Sequence, residues 1–300
     1  MNLRPRSSVS YSNDGTELTD ATIGSTSKWN ADTVESLNIV VVNTKHLFSD
    51  FLINPPKSCI DNVGISNEQN ALHEDARQLI ITEWKDGNWL QCVDVKSLLH
   101  TNKVKTLINK IKRVHVVNTN VAEMMVDGFM DSLLHILRFD DFPCSLYPQY
   151  EYVARIGRDN RAIKAKPDFS VLSESFHMLL VIEDKTVSNA TYANSWKEDQ
   201  VLGKLFVAVH NIAASTIKYP ITLYAVRVVG ILFTFYKATA TLEYIKESAK
   251  GNPTRNALKV ERYPPVEDSP MLTAYDICKY DDRLHILQCM CSIRQFIILE

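Results

Sequence analysis

The sequence predicts an α/β protein with a central mixed β-sheet flanked by helices, preceded by an N-terminal α/β region. Three observations carry this. From Val121 onward, segments with the helical period alternate with short β-branched and aromatic runs, in the order helix–strand–strand–strand–helix–strand–strand. The most apolar stretch, Ile221 to Phe235, is too short to span a bilayer and contains Arg227, so it reads as buried strand and not as membrane. Hydrophobic residues make up 45% of the 300 and charged residues 23%, which suits a globular protein with a sizeable core.

Taken in order, residues 1–36 are rich in Ser, Thr, Asn, Asp and Gly without a period, and are expected to form a disordered or loose arm. An N-terminal α/β region follows over 37–117. It opens with the β-branched run Ile39 to Val42 and an apolar continuation from His46 to Ile53, stopped at Asn54-Pro55-Pro56. Ser66, with Gln69 three residues on, forms the pattern of a capping box for a helix running to Ile80. Asp86-Gly87-Asn88 reads as a turn and Leu90 to Val95 as a strand. Lys96 to Lys112 reads as an amphipathic helix whose polar face carries Lys103, Lys105, Lys110, Lys112 and Arg113.

The third unit spans 118–300. Asn118-Thr119-Asn120 supplies a cap for a helix from Val121 to Leu137, on which Glu123, Asp127 and Asp131 recur every fourth residue. Strands are expected at Ser145 to Ile156, Arg161 to Val171 and His177 to Thr186, then a helix from Trp196 to Ala214 and strands at Ile221 to Val228 and Ile231 to Tyr236. Lys250 to Pro270 holds prolines 253, 264, 265 and 270 and reads as an extended connection. A helix from about Leu272 to Ile298 closes the chain.

The formal net charge of −2 excludes a uniformly basic nucleic-acid coat, so any such contact must come from local clusters. Six cysteines lie scattered without framework spacing, which points to reduced thiols and, with no apolar signal segment near Met1, to an intracellular protein in nucleus or cytoplasm. His285, Cys289 and Cys291 sit near one another on the last helix, where small apolar thiols are the default over zinc.

The most informative stretch is Lys166-Pro167-Asp168 followed by the apolar run that ends in Glu183-Asp184-Lys185. Two strands joined through Ser173 to His177, folding about the Ser175–Phe176 bond, place Asp168 directly across from Glu183. Glu183 and Lys185 then share one face and Asp184 takes the other. Two carboxylates beside an ammonium suit Mg²⁺, a hard cation that accepts carboxylate oxygens and keeps several waters. Such a metal acidifies a water and neutralises a phosphodiester, and the lysine stabilises the developing charge.

Pro167-Asp168 and Glu183-x-Lys185, in their αβββαβ context over roughly residues 118–240, resemble the PD-(D/E)xK, restriction-endonuclease-like nuclease superfamily. The resemblance implies a restriction-endonuclease-like core and a hydrolase that cleaves phosphodiesters with Mg²⁺ or Mn²⁺, in DNA more than in RNA. It implies Asp168 and Glu183 as metal ligands, with the carbonyl of Asp184 joining them, and Lys185 as the catalytic lysine. Glu123 matches the helix-borne acid, with Asp127 as its rival. Gln200 matches the polar residue of the following helix, with Glu198 or Lys197 as alternatives and Lys204 one turn beyond.

Arg155, Arg158, Arg161, Lys164 and Lys166 crowd the approach to Asp168 and suit a phosphate backbone. The competing expectation is the same fold without catalysis, binding nucleic acid or a protein.

Overall fold

A computed structural model describes residues 25–44, 75–117, 123–157, 159–174, 178–184, 198–216, 218–251, 253, 255–266 and 273–299. The main sheet contains β1 (Ile39–Asn43), β2 (Cys144–Pro148), β5 (Phe169–Ser173), β6 (Met178–Asp184), β7 (Ile221–Val229), β8 (Leu232–Ala240) and β9 (Leu258–Tyr263). Across it the order is β1-β9-β8-β7-β6-β5-β2, with the short β10 (Tyr275–Asp276) on β8. Pairings are antiparallel except β6 with β7 and β1 with β9, so the sheet is mixed. The parallel β6–β7 step requires a crossover, and α5 (Glu198–Ala213) lies between them in the chain. A separate hairpin pairs β3 (Tyr152–Ile156) with β4 (Arg161–Ala165).

Helices cover both faces. On one, α3 (Asn102–Val117), α4 (Glu123–Ile136) and α7 (Tyr280–Leu299) bury Leu107, Ile111, Phe129, Leu133, Ile286 and Ile293 against Val226, Val228, Phe233 and Phe235. On the other, α5 buries Val201, Leu205, Phe206 and Val209 against Leu223, Ala225, Tyr236 and Ala238, and the β3–β4 hairpin adds Tyr152, Ala154 and Ile163. Every residue of β7 is buried, as expected of a central strand covered on both sides.

The N-terminal part of the chain takes part in these layers. Residues 1–24 of the expected arm lie outside the described residues. From Ser25 a 3₁₀ turn and α1 (Ala31–Ser36) follow, the helix capped by Asn30, whose side chain accepts from the Thr33 amide at 3.0 Å. Trp29 packs on Phe206 with ring centroids 5.6 Å apart. It lies so close to α5 that a Cβ on Gly203 would meet it at 2.8 Å, which is why a glycine interrupts this buried helix face. β1 adds to β9, and α3 packs along α4.

Several expectations are corrected. The strand expected at Leu90 to Val95 is instead a helix, α2 (Gly87–Cys92), and a 3₁₀ turn. Asp86 acts as its N-cap, accepting from the amides of Asn88 at 2.9 Å and Trp89 at 3.2 Å, so the polar triplet starts a helix. Ser145 to Ile156 is two strands in two sheets, as is Arg161 to Val171. The chain reverses at Gln149, whose φ is 52°, and the Lys166-Pro167-Asp168 stretch separates β4 from β5. The connection from Lys250 to Pro270 contains β9, because its prolines bracket Leu258–Tyr263 without interrupting it. Both α3 and α7 start later than the sequence suggests, at Asn102 and Tyr280. Of the helix expected from Ser66 to Ile80, residues 66–74 lie outside the described residues, and the described remainder is helical over 75–78 and ends before Leu79.

Candidate functional site

The candidate site centres on Asp168, at the bend that opens β5. Its carbonyl accepts from the Gln149 amide at 2.8 Å, which fixes the start of β5 against the end of β2. The side chain is 28% exposed and lies 3.8 Å from Nζ of Lys204, itself 13% exposed, on the second turn of α5. The crossover helix thus sets a cation beside Asp168, near the carboxyl end of β6, where open α/β sheets bind ligands.

The β5–β6 register differs from the expected one by a single residue. Phe169 pairs with Val181, Ser170 with Leu180, Val171 with Leu179 and Leu172 with Met178. The hairpin is therefore symmetric about Ser175, and extending the ladder one step sets Ile182 opposite Asp168, not Glu183. The cause is apolar matching: Phe169 and Val171 lie in the row that carries Val226 and Val228, and register follows the buried row. Along β7, Ile182 pairs with Arg227, Glu183 with Val228 and Asp184 with Val229. By strand position, Asp168 is in phase with Asp184, on the row covered by α5. Glu183 is in phase with the row covered by α3, α4 and α7. The side chains of β6 and all of 185–197, Lys185 included, lie outside the described residues.

A second charged group lies under the first turn of α5. Glu198 accepts from the hydroxyl of Tyr236 at 2.7 Å and from Nε of Arg262. Arg262 is fully buried; its other nitrogens donate to the carbonyls of Pro264 and, at 2.8 Å, Thr273. Burial, then the Glu198 carboxylate, pushes the Tyr236 hydroxyl well above its ordinary range, so it remains a donor. Arg227, 1% exposed, occupies the same row of the sheet as Asp168 by register. Sequence reasoning offered Glu198 only as an alternative to Gln200 and missed Arg262 and Tyr236. One signal was present: an arginine inside the most apolar strand.

The other expected residues are distributed as follows. Gln200 is half-buried on the first turn of α5. Glu123 begins α4, though its side chain lies outside the described residues, as does Arg158. Asp127 is half-buried on the next turn, and its Oδ1 is enclosed without a hydrogen-bond partner among the described residues. In the basic approach, Lys164 pairs with Glu151 at 2.8 Å and Arg161 with Asp159 at 3.2 Å, while Arg155 and Lys166 are exposed without an ion pair among the described residues. The lysines of α3 are partly engaged by the fold. Lys105 donates to the carbonyl of Lys96, Lys110 to that of Gly128 and Lys112 to that of Val93.

Among the described residues, no three His, Cys, Asp or Glu side chains gather to hold a metal, and Cys278 and Cys289 are buried free thiols. No helix among them is long and apolar enough to cross a membrane. No family model matches the chain, and no curated protein matches it.

The donor chemistry at the mouth of the site suits a hard divalent cation: a partly buried carboxylate at Asp168, with two further acids at the end of the neighbouring strand. In the state described, Lys204 supplies the compensating positive charge.

Proposed function

We propose that the protein is a divalent-metal-dependent nuclease that hydrolyses phosphodiester bonds, DNA more than RNA. The observation that carries this reading is the position of Asp168. It is half-buried at the start of β5 beside Lys204, and β5 pairs with the strand that runs into Glu183-Asp184-Lys185. The succession of α4, β2, β5, β6, α5 and β7 supports the αβββαβ core if the β3–β4 hairpin is taken as an insertion outside the sheet.

Asp168 and Asp184, which share a row by register, would hold Mg²⁺ or Mn²⁺. Glu183, with Glu123 or Asp127 of α4, is in phase with the opposite face and would reach the ion only where β6 leaves its alternation at its end. The bound ion supplies an acidified water and neutralises the phosphate. Lys185 stabilises negative charge developing on the phosphoryl oxygens, Lys204 and Gln200 line the helix side, and exposed Arg155 and Lys166 attract the backbone.

Incubation with single- and double-stranded DNA and RNA in Mn²⁺ tests this. Asp168→Asn and Lys185→Ala should each abolish cleavage in a protein that keeps its parent circular dichroism, and full activity in either overturns the reading. One observation favours a second reading, the non-catalytic binding module: the Lys204 ammonium, 3.8 Å from Asp168, can balance its charge. Calorimetry with Mn²⁺ separates the two, since a module of this kind binds none.

A further inference from the structure

Three tyrosines lie in and beside the turn joining β2 to β3, at 147, 150 and 152. Tyr147 ends in the tight reversal at Gln149, and its ring lies 5.8 Å from that of Tyr150, which meets Tyr152 edge-on at 4.8 Å. Their exposure is graded. Tyr152 is 1% exposed and anchored in the core, whereas Tyr150 is 40% and Tyr147 43% exposed. The inner ring therefore props Tyr150, which in turn meets Tyr147, and both outer side chains stay partly in water, an unfavourable placement for so much aromatic surface.

This ladder adjoins the candidate site. Gln149, between the two exposed rings, donates its amide to the carbonyl of Asp168. Tyr147 pairs with Ser170, two residues beyond Asp168 and in the same phase of the sheet. Lys166, two residues before Asp168, is exposed without an ion pair among the described residues.

We infer that Tyr147 and Tyr150 form a stacking step for unpaired nucleobases beside Asp168, so that the preferred substrate is single-stranded nucleic acid or a single-stranded segment within a duplex. This deepens the nuclease reading and rests on it. An aromatic face stacks on any base and needs no sequence. In a duplex, base faces are covered by their neighbours, and a surface that gripped only phosphates would need cations without exposed rings. Here both are present: rings at 147 and 150, and a cation at 166.

The test uses the full chain with labelled oligothymidylate and a matched duplex, read by fluorescence anisotropy in EDTA so that no strand is cut. Cleavage of both probes is measured separately in Mn²⁺. The single strand should bind more tightly than the duplex. Replacing both rings, Tyr147→Ala with Tyr150→Ala, should weaken single-strand binding by roughly tenfold or more, as expected from losing a stacked base, and leave duplex binding unchanged. Tyr147→Phe with Tyr150→Phe keeps the rings and should bind as the parent does, which separates stacking from a folding defect. Parent-like single-strand binding by the double alanine variant overturns the stacking step. If Asp168→Asn still abolishes cleavage in that case, the nuclease reading stands alone. A parent protein that neither binds nor cuts any strand overturns both.

Discussion

The guanidinium of Arg283 lies over the indole of Trp84, with its carbon 3.9 Å from the ring centroid. Arg283 is 1% exposed, and its nitrogens donate to the carbonyls of Leu79 at 2.9 Å, Ile277 at 3.0 Å, Cys278 at 3.2 Å, Ile81 at 3.4 Å and Trp84. Burial lowers its pKa to about 10, so it stays charged at neutral pH. One side chain thereby ties the segment from Leu79 to Trp84 to the start of α7. Arg283→Met strands several buried carbonyls and should destabilise the protein by about 3 kcal/mol or more in urea denaturation. Arg283→Lys should recover little, because an ammonium lacks the planar fork that reaches both segments. A loss below about 1 kcal/mol in the methionine variant contradicts this role.

His210 provides a pH-dependent term. Ser248 donates its hydroxyl to the Tyr244 carbonyl at 2.7 Å, so its oxygen accepts from Nε2–H of a neutral His210 at 2.8 Å. Burial lowers the histidine pKa from 6.5 to about 4. Between these values the unfolded chain binds the extra proton, so stability rises with pH. The contribution is fully present above about 6.5 and is lost as pH falls toward about 4, by up to about 3 kcal/mol. Denaturant midpoints across this window should fall with acidification, and His210→Gln should flatten the curve.

On the proposed reading, Lys204 and a metal would compete for Asp168. The ammonium 3.8 Å from the carboxylate repels an incoming dication, though partial exposure screens the interaction. Lys204→Met should therefore tighten Mn²⁺ binding, measured by calorimetry, by about fivefold. The same variant should bind oligonucleotide less well. Weaker Mn²⁺ binding in Lys204→Met would show that the lysine organises the site and does not oppose the ion.

On the same reading, the phase of β6 bears on which acid would share the ion with Asp168. Because Asp184 and Asp168 occupy the same row by register, Asp184→Asn should lower Mn²⁺ affinity at least about tenfold, and by more than Glu183→Gln does. Unchanged Mn²⁺ binding in Asp184→Asn would assign the second carboxylate to Glu183 alone and require the strand to leave its regular alternation after Ile182.

How much of this was legible in the sequence depends on what each residue answers to. β7 and α5 follow from local pattern, because a continuous apolar run and a helical period each need only their own neighbours. The split of Ser145 to Ile156 was hidden because Gln149 carries the left-handed turn, where a glycine would have announced it. β9 was masked by flanking prolines. At the candidate site, Asp168 and Lys204 were both singled out from the sequence, and the structure sets them 3.8 Å apart. The one-residue register offset was not, since the choice between Ser175 and the Ser175–Phe176 bond as centre is made by packing across the sheet. The Glu198, Tyr236 and Arg262 group joins a helix to two strands and has no local signature.

One edge of the sheet closes late in the life of the chain. Asn38, just before β1, donates its side-chain amide to the carbonyl of Asn256, 218 residues away, and β1 then runs along β9. On a ribosome, β1 emerges well before β9, which follows some 218 residues later. Until then β8 lacks the neighbour that later covers its edge, and such unpaired edges recruit other chains. Closing a loop of this length makes slow, late edge formation the expected order of assembly. Removing β1 or β9 to obtain a smaller fragment should thus yield aggregation before it yields a compact core.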